Sequence, residues 1–134
     1  MIGRLLNTVH AAARAALPVA VSRPYRHRMT VKLLALYGQP ADPASWDRRY
    51  TAEHLPLAAA MPGLRAQRAA RVHGTAEGSE SPYYLVGELV FDDIEALQAG
   101  AGSPEGQAAA TNFAEVAPPG SLLLVVEDTL DRSF

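Results

Sequence analysis

Trp46, Tyr50, His54 and Ala58 recur every four residues, which lays two aromatic rings and an imidazole along one face of a helix. An imidazole with an ordinary pKa of about 6.5 takes or gives a proton near neutrality, and aromatic neighbours keep it off the open surface. His54 is therefore the leading candidate for acid–base catalysis. The structural alternative is a histidine that caps the helix where Pro56 breaks it, or that bridges to a strand.

A second candidate is Glu88, which sits in the most apolar segment of the chain, Tyr83 to Phe91 (YYLVGELVF). Strand alternation puts it on one face with Tyr84, Val86 and Val90. If that face lines a cavity, desolvation suits the carboxyl to acid–base work or substrate binding. Its alternative role is a cross-strand ion pair with Arg68 or Arg71. The hydroxyls of Tyr37, Tyr83 and Tyr84 could orient a carbonyl or a phenol, although buried aromatics also serve as plain core. The expected substrate-binding set is Tyr37, Trp46, Tyr50, Tyr84 and Glu88. His73, at a strand end beside Gly74, is expected in solvent.

Other chemistries lack their residues. The four histidines, His10, His27, His54 and His73, form no HxxxH or HExxH pair, and the chain has no cysteine. No metal site is expected. GxGxxG, GxxxxGK[ST] and GxSxG are all absent, so neither a built-in nucleotide site nor a nucleophile elbow is expected.

The elements that must position His54 read as follows. Val31 to Tyr37 (VKLLALY) is a short, buried strand ending at Gly38. Asp42-Pro43 is an N-cap followed by proline at the first helical position. Pro56 lacks an N–H and crowds the carbonyl of Ala52, so the helix should kink or restart near His54. Leu64 to His73 reads as a charged edge strand, 74–82 as a polar loop, and Tyr83 to Phe91 as the clearest strand. A short helix follows Asp92-Asp93 through Leu97 and Gln98. A second starts at Ser103-Pro104-Glu105 and runs to about Val116. Leu122 to Val126 (LLLVV) is the last strand. The order is a ferredoxin-like βαββαβ α+β unit, a four-stranded antiparallel sheet with its helices on one face.

Three of these strands are apolar on both faces, and LLLVV falls on an edge of that topology. A bare apolar face and edge call for a second copy, sheet against sheet, which gives a dimeric α+β barrel. A homodimer through the sheet is expected.

The chain has 134 residues, with 49% hydrophobic and 19% charged, enough for one domain with a real core. A net charge of −2 gives no reason to expect nucleic acid. No apolar run approaches the roughly 20 residues that span a bilayer, so no membrane partner is expected and the domain reads as soluble and cytoplasmic. Charge is nonetheless uneven: Arg4, Arg14, Arg23, Arg26 and Arg28 precede the first acid. Residues 1–28 read as an Arg-rich extension, disordered or upstream of a true start at Met29, or else a targeting segment. Residues 29–134 form the domain.

Four stretches, VKLLALYGQPADPASWDRRYTAEHLPLA, MPGLRAQRAARVHG, SPYYLVGELVFDDIEALQA and SPEGQAAATNFAEVAPPGSLLLVVE, together resemble the EthD family, named for ethyl tert-butyl ether degradation. The specific pieces are Trp46 and Tyr50 followed by His54-Leu55-Pro56-Leu57, then Pro62-Gly63-Leu64 and Ser103-Pro104-Glu105-Gly106. The resemblance implies a ferredoxin-like fold in a dimeric α+β barrel, with a histidine at the position of His54. It implies no settled reaction, although the family carries a reductase label. A cofactor-independent enzyme is the first expectation, acting on a small hydrophobic, aromatic or polyketide-like ligand, with His54 moving a proton in an isomerisation, dehydration or oxygenation-type step. An oxidoreductase and a non-catalytic small-molecule-binding accessory protein are the alternatives. No cofactor is expected; haem, which relatives with this barrel bind, would need His54 as its axial ligand.

Overall fold

A computed structural model describes residues 29–134; the Arg-rich stretch 1–28 lies outside the described residues. In chain order the elements are β1 (Val31–Gly38), α1 (Pro43–Arg49), a π-helical turn (Tyr50–His54), α2 (Leu55–Ala59), β2 (Ala66–Arg71), β3 (Tyr83–Phe91), α3 (Ile94–Gly102), α4 (Pro104–Val116) and β4 (Leu122–Glu127). The strands form one sheet in the order β2-β3-β1-β4, and every neighbouring pair is antiparallel. This is the ferredoxin-like α+β arrangement. β4 is an edge strand, as its place in the βαββαβ order requires.

Strand alternation divides the sheet into two faces. Val31, Leu33, Ala35 and Tyr37 of β1 lie beside Phe91, Leu89, Gly87 and Leu85 of β3, and this face packs under the helices. Phe91 and Tyr37 are essentially inaccessible and anchor two adjoining apolar clusters. The opposite face carries the half-buried Leu34, Leu36 and Val86. Leu122 to Val125 of β4 are each at least 42% exposed.

Local chemistry fixes where each helix begins. The Asp42 carboxylate accepts from the Ser45 N–H at 3.2 Å with Pro43 in the first turn, and Asp93 accepts from Ala96 at 2.8 Å. Ser103 Oγ accepts from the Gly106 N–H at 3.0 Å and donates to the Gly100 carbonyl at 2.6 Å. That one hydroxyl therefore ends α3 and starts α4. α3 runs to Gly102, past the expected stop near Gln98, because Ser103 rather than any earlier breaker ends it.

At Pro56 the chain restarts. With no N–H at that residue, the preceding turn widens: the Leu55 N–H reaches back five residues to the Tyr50 carbonyl, and Pro56 falls in the first turn of α2. The wide turn keeps Trp46, Tyr50, His54 and Ala58 buried in one row against the sheet.

The junction of α3 and α4 explains the glycine of the Ser-Pro-Glu-Gly motif. A Cβ on Gly106 would run into the backbone carbonyl oxygens of Gly100 and Ala101, which have no room to yield. Gly106→Ala should therefore destabilise by about 1–3 kcal/mol in urea unfolding, the usual effect of overpacking. Gly102→Ala, where nothing lies within 4 Å, should cause no loss.

Candidate functional site

The helices do not close fully on the sheet. A cavity of about 250 Å³ remains between β1 and β3 on one side and the π-helical turn, α2 and α4 on the other. Its walls are almost wholly apolar and include Leu33, Ala35, Leu89, Met61, Ala109 and Phe113. Small side chains make the hollow. Gly87 sits directly beneath Tyr50, and a Cβ there would stand 3.3 Å from the Tyr50 hydroxyl.

His54 borders this cavity. Its ring stacks on Tyr50 (centroids 5.7 Å, 21°), and Tyr50 stacks on Trp46 (4.9 Å, 12°). Tyr37 and Phe113 close in at 6.4 and 6.2 Å. Nδ1 of His54 lies 3.0 Å from Oδ1 of Asn112, whose Nδ2 donates to Glu53 at 3.3 Å. Glu53 in turn receives Nε–H of Arg49 on both oxygens, at 3.0 and 3.1 Å. Among the described residues no fully buried side-chain N or O lacks a partner. Nε2 of His54 makes no hydrogen bond among the described residues, and it is the nitrogen left to the cavity that the ring borders.

Burial holds the His54 pKa below its ordinary 6.5, and the Asn112 bond only partly opposes the shift. The ring is neutral at pH 7, and its open nitrogen is a base. Burial drives the Tyr37 phenol well above 10, reinforced by Tyr50; it also raises Tyr50, against the effect of the Tyr37 hydrogen bond. Both phenols stay protonated, so each keeps an O–H to donate.

Of the residues expected to bind substrate, Tyr37 and Tyr50 border the cavity beside His54; Glu88 meets it only along the β3 backbone, its carboxylate lying on the opposite face of the sheet with Lys32, and Trp46 and Tyr84 do not border it. Trp46 stands behind Tyr50, its indole N–H donating to the Val116 carbonyl at 2.8 Å. Tyr84 does not share a face with Val86 and Glu88. The register slips between Tyr37 and Gly38, leaving Tyr84 as an extra residue on β3. Such a bulge re-aims its side chain, here toward α1, where the hydroxyl donates to both Asp47 oxygens at 2.9 and 3.0 Å.

The Glu88 carboxylate is held by Lys32 at 3.3 Å rather than by Arg68 or Arg71, and Lys32 also reaches Asp128 at 3.5 Å. Arg71 instead pairs with Asp47 at 3.2 Å and lies over the Tyr84 ring. His73 is exposed and outside the cavity.

Sequence reasoning missed Asn112 and Glu53. The available signal was a polar residue, Asn112, among the buried Gly106, Ala109 and Val116 of α4. Among the described residues no group of three or more His, Cys, Asp or Glu could hold a metal ion, and no helix is long and apolar enough to cross a membrane. A hollow of about 250 Å³, against about 150 Å³ for one that takes benzene, would leave most of a haem outside its walls.

The model of the EthD domain matches residues 38–116. An uncharacterised 11.0 kDa protein of Rhodococcus erythropolis, from the thcB-thcC intergenic region, is 34% identical over 103 residues, 76% of this chain and 94% of that one. The crystal structure of an ethyl tert-butyl ether d (EthD) family protein from Bacillus halodurans C-125 aligns with a TM-score of 0.71 and 37% identity, over 75% of this chain and 100% of that one. More distant structures share the fold. SnoaB, a cofactor-independent oxygenase from Streptomyces nogalater, has a TM-score of 0.56 at 16% identity, covering 75% of this chain and 94% of its own. A dimeric ferredoxin-like protein of unknown function from Thermobifida fusca YX has 0.56 at 18%, covering 78% and 95%.

The depressed pKa of His54 makes stability depend on pH. The unfolded chain binds a proton on this ring near pH 6.5, and the folded chain binds it only at lower pH. Stability from this residue is therefore present above 6.5 and lost as pH falls through that value. Between pH 7.5 and 5 the melting temperature of the natural chain should fall more than that of His54→Gln, as read by circular dichroism. Asp128, held below 3.8 first by the Thr30 hydroxyl, acts only at lower pH.

Proposed function

The chain belongs to the EthD family, and from that premise we propose that it is a small-molecule enzyme whose cavity takes a hydrophobic aromatic ligand and whose His54 transfers a proton. One observation carries this reading: a single open, neutral imidazole nitrogen faces an apolar hollow of about 250 Å³. That volume suits one or two rings, since about 150 Å³ takes benzene. It narrows the sequence expectation away from large polyketide-like skeletons.

Within this reading Nε2 accepts a proton from the ligand while the Tyr50 hydroxyl donates to the oxygen that gains charge. The imidazolium then returns the proton to another atom of the ligand, which completes an isomerisation, or to a leaving hydroxyl, which completes a dehydration. General acid–base catalysis of this kind contributes about 10²–10⁴ in rate. Desolvation matters twice, because it keeps the base unprotonated and strengthens each hydrogen bond to the ligand. No step needs a bound cofactor; SnoaB, of the same fold, is a cofactor-independent oxygenase.

The working unit in this reading is a homodimer through the sheet. Leu122 and Leu124, exposed on an edge strand, share a face with Leu34, Leu36 and Val86, and an apolar face and edge of this kind call for a cover. The fold neighbour from Thermobifida fusca YX is dimeric.

Two measurements test these statements. Neutral one- and two-ring aromatics, screened by native mass spectrometry and thermal shift, should bind and raise the melting temperature. A ligand at a hundredfold excess over its Kd adds about 2.7 kcal/mol. A bound compound should be consumed by the natural chain and released unchanged by His54→Gln; release unchanged by both would make the protein a binder. Leu124→Glu should halve the mass seen in light scattering while circular dichroism retains the fold.

A further inference from the structure

We propose that Asn112 is a positioning residue: its amide, oriented by Glu53, holds the His54 ring as the Nδ1–H tautomer and so presents a bare Nε2 to the cavity. This deepens the reading of His54 as the base and rests on it, but the test reads the ring itself.

The chain of contacts runs inward from the surface. Arg49 and Glu53 lie one turn apart, about half exposed, and the Arg49 Nε–H meets both Glu53 oxygens. An exposed pair of this kind contributes little stability. Its consequence is directional: it holds an acceptor-only carboxylate beside the buried end of Asn112. The Nδ2 of Asn112 must face Glu53, because the opposite orientation would set the amide oxygen against the carboxylate. Oδ1 is then the atom 3.0 Å from Nδ1 of His54, and an amide oxygen only accepts. The hydrogen must therefore be on Nδ1, and the remaining lone pair belongs to Nε2.

The other groups packed round the ring leave that assignment alone. Tyr50 stacks on it, Phe113 meets it tilted at 57° and Tyr37 meets it edge-on, and among the described residues no charged side chain bonds it. With no titratable partner on Nδ1, a neutral amide selects the tautomer without holding the ring charged, as a carboxylate at the same place would. The site thus keeps a base that is both oriented and unprotonated.

The test is long-range ¹H–¹⁵N correlation of histidine side chains in the ¹⁵N-labelled full chain at pH 7.5, with the His54→Gln spectrum identifying the His54 signals. The expected result is a protonated Nδ1 and an unprotonated Nε2. Asn112→Leu should move Nε2 into the protonated range, wholly or in part. Should that core variant fail to fold, two others serve. Glu53→Gln, at the surface, frees the amide to turn and should mix the tautomers. Asn112→Asp should keep Nδ1–H and raise the titration midpoint of the ring. A natural chain with Nε2–H, or tautomers unchanged in both Asn112→Leu and Glu53→Gln, overturns the proposal. If the tautomer shifts as stated while His54→Gln still transforms a bound ligand, the positioning role stands and the reading of His54 as base fails.

Discussion

Pro56 has no backbone N–H, and the placement of the site depends on how the chain meets that lack. A regular helix through 43–59 would crowd the Ala52 carbonyl against the proline ring and leave it without its donor. The widened turn at Tyr50–His54 removes the conflict by shifting the previous bond to a five-residue reach. It also changes which residues align. Four-residue spacing drifts round an ordinary α-helix with 3.6 residues per turn, but a wider turn brings it closer to a straight row. Trp46, Tyr50 and His54 therefore stand one behind another, and stacked rings fix the angle of each.

The row then has to meet a sheet that leaves space for it. Gly87, Ala35, Ala58 and Ala109 provide that space, and Leu33, Leu89 and Phe113 keep it apolar. Such a hollow destabilises any charge placed in it, which is why the imidazole is neutral and the two phenols remain protonated. An unpaired buried polar atom would be as unfavourable. The partners of Nδ1 and of the Trp46 indole are therefore structural requirements of the same cavity. One side-chain nitrogen escapes this rule because it opens into the hollow.

The far side of the sheet follows a different logic. Lys32 sits between Glu88 and Asp128 on a face otherwise lined by Leu34, Leu36 and Val86, and each of the three charged side chains is about a quarter exposed. Thr30 adds a hydrogen bond to Asp128 at 2.7 Å. Charges that already bond one another lose less when a second surface excludes water than charges that must find partners afterwards. The cluster is thus compatible with a covered face, in keeping with the exposed leucines of β4.

Much of this was legible along the chain. Asp42-Pro43, Asp93 and Ser103-Pro104 carry their caps in local chemistry, Pro56 announces its break, and β-branched, apolar runs bounded by turns mark the strands. Interactions within four or five residues need nothing beyond the sequence, and the row of Trp46, Tyr50 and His54 is of that kind. The sequence on its own therefore determined the elements, their order and the row on which His54 stands. Tertiary structure decided the rest, because those choices join residues far apart in the chain. A one-residue slip opposite Gly38 turned Tyr84 from the face of Glu88 to the side of Asp47. Glu88 met Lys32 across the central strand pair, and Arg68, its register partner, forms no ion pair among the described residues. Asn112, 58 residues beyond His54, became the partner of its ring. Spacing in a sequence fixes directions within an element, but which polar atom lies opposite another is set only when sheet and helices close over a shared, water-poor interior.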